Sequence, residues 1–168
     1  LPEDWEVSTA FPANLVIATG EVTVPASKTW DIPAGIVLNG NSVLKLGNSS
    51  TITRLSSKSS GTLAVPASNT GTLTNVMDSV VTAKLDIDSG ATLYISDTSL
   101  TTLTIPADSS VGGTYSNEGT LNLSGCTALT ELHLTLGESK TFSFLNVTLP
   151  ETCTTIYYDI GDKRDLTD

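Results

Sequence analysis

Short apolar segments that alternate with polar residues recur along the chain, and they restrict the possible folds more than any other feature. Typical examples are Leu63-Ala64-Val65, Leu85-Asp86-Ile87 and Leu121-Asn122-Leu123. Alternation with period two is typical of strands that turn one face to a core and the other to solvent. Gly, Asn, Ser, Asp and Pro lie between the segments, as turns require. The pattern predicts an all-β protein.

The composition agrees with strands rather than helices. Ser and Thr account for 47 of the 168 residues, and Gln is absent. Thr, Val and Ile favour strands because their branched side chains fit a pleated surface. Apolar residues make up 39% of the chain, and they recur too regularly for a disordered protein.

The spacing of the segments predicts a repeating architecture. Leu63, Leu85, Leu103 and Leu121 follow one another at intervals of 22, 18 and 18 residues. An apolar residue followed by Pro-Ala also recurs, at Val24, Ile32, Val65 and Ile105. Intervals near 20 residues, or twice that, are typical of coils that stack on one another. We therefore predict a β-solenoid with coils of about 20 residues; a β-sandwich, which also contains many short strands, is the alternative.

The two ends of the chain differ from this pattern. Residues 1–12 are charged, contain Pro and include Trp5, so we expect an N-terminal arm or cap. Residues 13–158 form the predicted solenoid domain, and the Asp-rich stretch 159–168 is expected to be an acidic tail or linker. Because the sequence starts at Leu1 without a signal peptide, we interpret it as a mature product or a piece of a longer protein.

The C-terminal part carries a sharper motif. Leu121, Leu123, Cys126, Leu129, Leu132 and Leu134 give the pattern L-x-L-x-x-C-x-x-L-x-x-L-x-L, and residues 100–106 repeat half of it. Residues 100–158 resemble the BspA-like leucine-rich-repeat proteins of bacterial cell surfaces. The resemblance implies leucine-rich-repeat-like coils at the C-terminal end and an extracellular, non-catalytic role in binding or scaffolding.

Cysteine and histidine are too few for a metal centre. Cys126 and Cys153 are the only cysteines, and His133 is the only histidine; they cannot complete a tetrahedral zinc site. If Cys153 occupies the place of Cys126 one coil later, the two would lie within disulfide distance. A disulfide and two buried free thiols are both open alternatives. We predict no catalytic residue, no metal and no cofactor.

Several polar and aromatic residues are expected to face solvent. Alternation places Lys84, Asp86 and Asp88 on one outward face, and His133 beside Glu131 on another. Tyr94 is expected to point outward, where its ring could stack on a ligand. The pairs Thr51/Thr53, Thr72/Thr74 and Thr102/Thr104 would form threonine rows on a solenoid surface, but their intervals are irregular.

The charge narrows the range of partners. A net charge of −10 argues against nucleic acid and anionic lipid as partners, and no apolar run is long enough to span a bilayer. We expect a secreted or surface-exposed bacterial protein with a structural or adhesive function. Its partners would be copies of itself, forming a filament, or neighbouring domains of a longer chain. The predicted assembly contacts are Trp5, Ile156, Tyr157 and Tyr158. The alternative is a module at the tip of an adhesin or phage fibre that binds a glycan or a host protein.

Overall fold

The computed structural model describes residues 14–106, 119–136 and 146–160. Within these ranges the chain is all-β, and the only helical element is one 3-10 turn at Met77–Ser79. All strand pairings there are parallel. The strands stack as a β-solenoid of about five turns, which confirms the predicted fold class and excludes the sandwich.

The strands lie on three sides of the stack. The first side is a four-stranded sheet of β2 (Gly20–Val24), β5 (Ser42–Leu46), β7 (Thr62–Val65) and β9 (Lys84–Ile87). The second is a six-stranded sheet of β3 (Thr29–Trp30), β6 (Ser50–Ile52), β8 (Thr70–Leu73), β10 (Thr92–Ile95), β12 (Thr120–Asn122) and β14 (Asn146–Thr148). The third holds β1 (Leu15–Ile17) with β4 (Ile36–Leu38), and β11 (Thr102–Pro106) with β13 (Glu131–Leu136) and β15 (Thr155–Ile160).

The third side changes its alignment in the middle of the stack. Single bridges carry the β1–β4 pairing onward through Leu55 to Val76. The 3-10 turn follows, and Val80 then bridges to Thr104 of β11. The turn therefore separates the early coils from the later coils, which carry the leucine-rich motif.

Inward side chains of the three sheets form one continuous apolar core. Leu44, Leu63 and Leu85 lie in register in the four-stranded sheet and are buried. Leu93 and Leu121 do the same in the six-stranded sheet. Stacking equivalent aliphatic residues removes their side chains from water in every coil, which is the main stabilising contribution in such a repeat.

The corner between the first and second sheets needs a left-handed residue in each of four successive coils. Ser27, Ser49 and Ser68 have φ of 60°, 59° and 63°, and Gly90 has φ of 71°. The corners are joined by backbone hydrogen bonds, for example from Ser27 N to Asn48 O at 2.9 Å. Glycine adopts this conformation without strain, whereas serine does not.

The predicted leucine series does not form a single column. Leu63 pairs with Leu85 as the spacing suggested, but Leu103 pairs with Leu132 on the third side and Leu121 with Leu93 on the second. Coil length varies, since 19 residues separate Leu44 from Leu63 whereas 29 separate Leu103 from Leu132. Equal spacing along the chain therefore did not identify equivalent positions.

The occurrences of the Pro-Ala motif are also not all equivalent in the stack. Val24 and Val65 both end a strand of the four-stranded sheet, two coils apart. Ile32 lies instead after β3, and Ile105 belongs to β11 on the third side. The 41-residue interval between Val24 and Val65 thus marks a true repeat, while the other two occurrences do not belong to it.

The predicted arm at 1–12, with Trp5, and most of the predicted tail at 159–168 lie outside the described residues. At the C-terminal boundary, β15 runs to Ile160, two residues beyond the predicted end of the solenoid domain.

Candidate functional site

The C-terminal end of the stack exposes part of the core. Leu103, Leu132 and Ile156 form one inward column on the third side, with Leu132 between the other two. Leu103 and Leu132 are 0% and 1% exposed, whereas Ile156 is 40% exposed. No described strand pairs with the outer edge of β15. We call Ile156, Tyr157 and the neighbouring Val147 of β14 the C-terminal end face.

Tyr157 stacks on the only histidine. The rings of His133 and Tyr157 have centroids 4.5 Å apart and lie 28° from parallel. His133 Nε2 is 3.2 Å from the Glu131 carboxylate. The histidine faces outward, as alternation predicted, but it carries an aromatic neighbour that only the register of β13 and β15 reveals. Tyr158 pairs with Leu134 in the same register.

The outward surface of the six-stranded sheet has a different chemistry. Thr51, Thr72, Tyr94, Asn122 and Thr148 follow one another in register across the sheet, and Thr70, Thr92, Thr120 and Asn146 form a parallel row. We call these nine residues the hydroxyl face. Thr51 and Thr72 do align despite the irregular sequence intervals, while Thr102 and Thr104 belong to β11 on another sheet. Tyr94 is 37% exposed at the centre.

The four-stranded sheet presents charges instead. Glu21 and Lys45 form an ion pair, with 2.8 Å between Glu21 Oε2 and Lys45 Nζ. Lys84 and Asp86 lie at the outward positions of β9, and Asp88 follows the strand in an exposed turn. The Asp88 carboxylate also accepts a hydrogen bond of 3.2 Å from Ala67 N, so it links two coils.

Of the two alternatives left open for Cys126 and Cys153, the structure has free thiols. The register explains why: Leu132 pairs with Ile156, and continuing this alignment three residues back places Cys153 at the level of Leu129, not of Cys126. Cys126 donates to the carbonyl oxygen of Ile95 at 3.1 Å and is fully buried. Burial raises the pKa of the Cys126 thiol, and the charge of Asp97 also raises it.

Asp97 is a buried carboxylate that the sequence did not single out. Its side chain is 4% exposed and accepts hydrogen bonds from Val76 N at 3.0 Å and Asn75 Nδ2 at 3.1 Å, one coil away. The other oxygen accepts from the backbone N and the hydroxyl of Ser99, at 3.1 and 2.7 Å. Four donors satisfy the charge, so Asp97 fastens two coils together. An Asp directly after an alternating segment was the available signal for this capping role.

Within the described ranges, no group of three or more His, Cys, Asp or Glu side chains is placed to hold a metal ion. The same residues contain no helix that is both long and apolar enough to cross a bilayer. Comparison with known proteins gives no match to a protein-family model, to a curated protein or to a solved structure. The site is therefore interpreted from its own geometry.

Proposed function

We propose that the protein is an extracellular structural or adhesive module whose coil stack is extended head to tail by a second copy. Ile156 carries the proposal. It occupies a core position, in register with the buried Leu132, yet it is 40% exposed, and none of the described strands lies over it. Placing a further coil on the C-terminal end face would remove this apolar surface from water.

The direction of the strands supports contact between unlike ends. Every described strand pairing is parallel. The outer edges of β14 and β15 can therefore form backbone hydrogen bonds with the outer edges of β3 and β1 at the opposite end of a second copy. Strand edges that none of the described residues covers pair readily with another chain. Contact between unlike ends does not close on itself and gives filaments rather than dimers.

The location at a bacterial cell surface rests on the resemblance of residues 100–158 to BspA-like proteins. Such a protein would act as a fibre segment or stalk, and neighbouring domains of a longer chain could occupy the same end face. Trp5, which lies outside the described residues, is the proposed apolar contact from the N-terminal arm.

Ile156→Lys tests the assembly, because a charged side chain at an edge blocks strand addition. We expect the molar mass of the wild type in static light scattering to rise continuously with concentration, and Ile156→Lys to remain monomeric. Val43→Lys is the matched control, since Val43 faces outward in mid-stack beside Glu21. It should assemble like the wild type.

Two further variants complete the experiment. Trp5→Ala measures the contribution of the arm and should weaken association without abolishing it. A wild type that stays monomeric at the highest soluble concentration would exclude the head-to-tail proposal. Equal loss of assembly in Ile156→Lys and Val43→Lys would show that charge, and not the end face, controls association.

A further inference from the structure

Tyr94 is an exposed large side chain that the ends of the stack do not explain. Among the described residues, the other large apolar side chains with comparable exposure are Val16, Ile156 and Tyr157. These three lie on β1 and β15, the first and last described strands. Tyr94 lies on β10, with strands on both sides of it, so no added coil can cover its ring.

The surroundings of Tyr94 are uncharged, in contrast to the outward positions of the four-stranded and three-stranded sheets. None of the nine residues of the hydroxyl face is charged, although the chain has 26 charged residues. The four-stranded sheet exposes Glu21, Lys45, Lys84 and Asp86 at equivalent outward positions, and the three-stranded sheet exposes Glu131. Strand propensity alone accounts for threonine on the four-, six- and three-stranded sheets, but not for the absence of charge across nine outward positions of the six-stranded one.

We infer that the hydroxyl face binds a neutral polysaccharide, with one sugar ring stacked on Tyr94. Thr72 and Asn122 flank Tyr94 in register and have much smaller side chains, and 37% of Tyr94 is exposed to solvent. The apolar face of a pyranose packs on such a ring. Threonine hydroxyls in rows about 4.8 Å apart can donate to and accept from the sugar hydroxyls on either side. The Asn122 Oδ1 already accepts from Ser124, so Asn122 offers its Nδ2 group as a donor.

Charge selects this class of ligand over others. The net charge of −10 repels acidic polysaccharides, and the hydroxyl face contributes no cation to attract them. A protein partner is less suited to the face, because protein interfaces concentrate several aromatic and apolar anchors, whereas this face has one ring. The inference does not depend on head-to-tail assembly, since the hydroxyl face runs along the side of the stack.

The test uses monomeric Ile156→Lys as well as the wild type, so that avidity from assembly is measured separately. Both are applied to insoluble β-glucan, chitin, mannan and starch, with alginate and pectate as acidic polymers. We expect retention on at least one neutral polymer and none on the acidic ones. Tyr94→Ala should lower the affinity about tenfold or more, and Thr72→Glu should abolish binding by placing a charge beside the ring.

Thr62→Glu is the matched control, because Thr62 is a half-buried outward threonine of β7 on the charged sheet. It should bind like the wild type, and circular dichroism should show all variants folded. The inference is overturned if no neutral polymer of the panel retains the protein or if acidic polymers bind more tightly. It is equally overturned if Tyr94→Ala and Thr72→Glu bind like Thr62→Glu. Loss of assembly without loss of polysaccharide binding would exclude the proposed function alone.

Discussion

The Asp97 carboxylate accepts a hydrogen bond from the backbone N–H of Val76, at 3.0 Å and one coil away. The same side chain holds Asn75 and Ser99, so one buried charge organises a corner on two levels of the stack. Elsewhere the coils are joined by strand ladders and, at corners such as Ser27–Asn48, by backbone hydrogen bonds. Asp97 adds a buried side-chain link between two coils at its own corner.

Asp97→Ala should destabilise the fold by about 3 kcal/mol, because the buried N–H of Val76 and the polar groups around it lose their acceptor. Urea unfolding followed by circular dichroism measures the change. Asp86→Ala is the control, since Asp86 is an outward residue of β9, and it should change stability by less than about 0.5 kcal/mol. Similar losses in the two variants would contradict the role assigned to Asp97.

Ser27→Gly and Ser68→Gly should stabilise the protein, because both serines have left-handed backbones with φ of 60° and 63°. Relief of this strain exceeds the entropy that glycine adds to the unfolded chain, and we expect a gain of about 1 kcal/mol for the pair. The measurement is the thermal midpoint. Ser89→Gly is the control, because Ser89 lies in a corner but does not have a positive φ. It should leave the thermal midpoint unchanged or lower it. An equal gain at Ser89 would show that the effect of glycine is not conformational.

Leu103→Asp should unfold several coils, at a cost on the order of 4 kcal/mol or more. Leu103 is fully buried and in register with Leu132, so the carboxylate would lie in the apolar core. Ile156→Asp, at the exposed top of the same column, should cost much less in a monomeric sample. Chemical denaturation at low protein concentration compares them, and equal costs would mean that Ile156 is covered in solution.

Cys126 should resist alkylation in the folded protein, because the thiolate is the reactive form and burial raises the pKa of this thiol. In the folded protein, iodoacetamide near pH 8 should modify the half-buried Cys153 and leave Cys126 unmodified. In denaturant it should modify both cysteines. Mass spectrometry of peptides measures the modification at each site. The raised pKa of Cys126 also makes the stability of the fold depend on pH. Above about pH 8.5, the ordinary pKa, the unfolded chain releases the proton that folded Cys126 retains. Stability should therefore fall as the pH rises, and less so in Cys126→Ala.

The sequence predicts which way side chains point better than it predicts what they stack on. Alternation correctly placed Leu93 and Ile95 inward and Tyr94 outward, because the period of a strand is two regardless of its partner. Stacking depends on coil length, which corners of different size change. Leu103 and Leu121 therefore lie on different sheets, although their spacing in the sequence predicts equivalent positions.

The candidate site shows the same division. The exposure of Tyr94 followed from local alternation, but its uncharged surroundings required the pairing of β8, β10 and β12. The choice between a disulfide and two free thiols could not be made from the sequence, because a short corner in the last coil shifts Cys153 to the level of Leu129. Neither the neighbours of Tyr94 nor the level of Cys153 in the stack can be derived from sequence spacing alone.

The parallel ladders also determine how the molecule carries a load. In a stacked-coil protein the hydrogen bonds between strands run along the axis of the stack, so a pull on its two ends acts on every coil interface in series. Such a chain peels one coil at a time from its termini, and each peeled coil lengthens it by the contour of roughly 20 residues. A stack of these coils would therefore yield in steps under tension and dissipate work at each step.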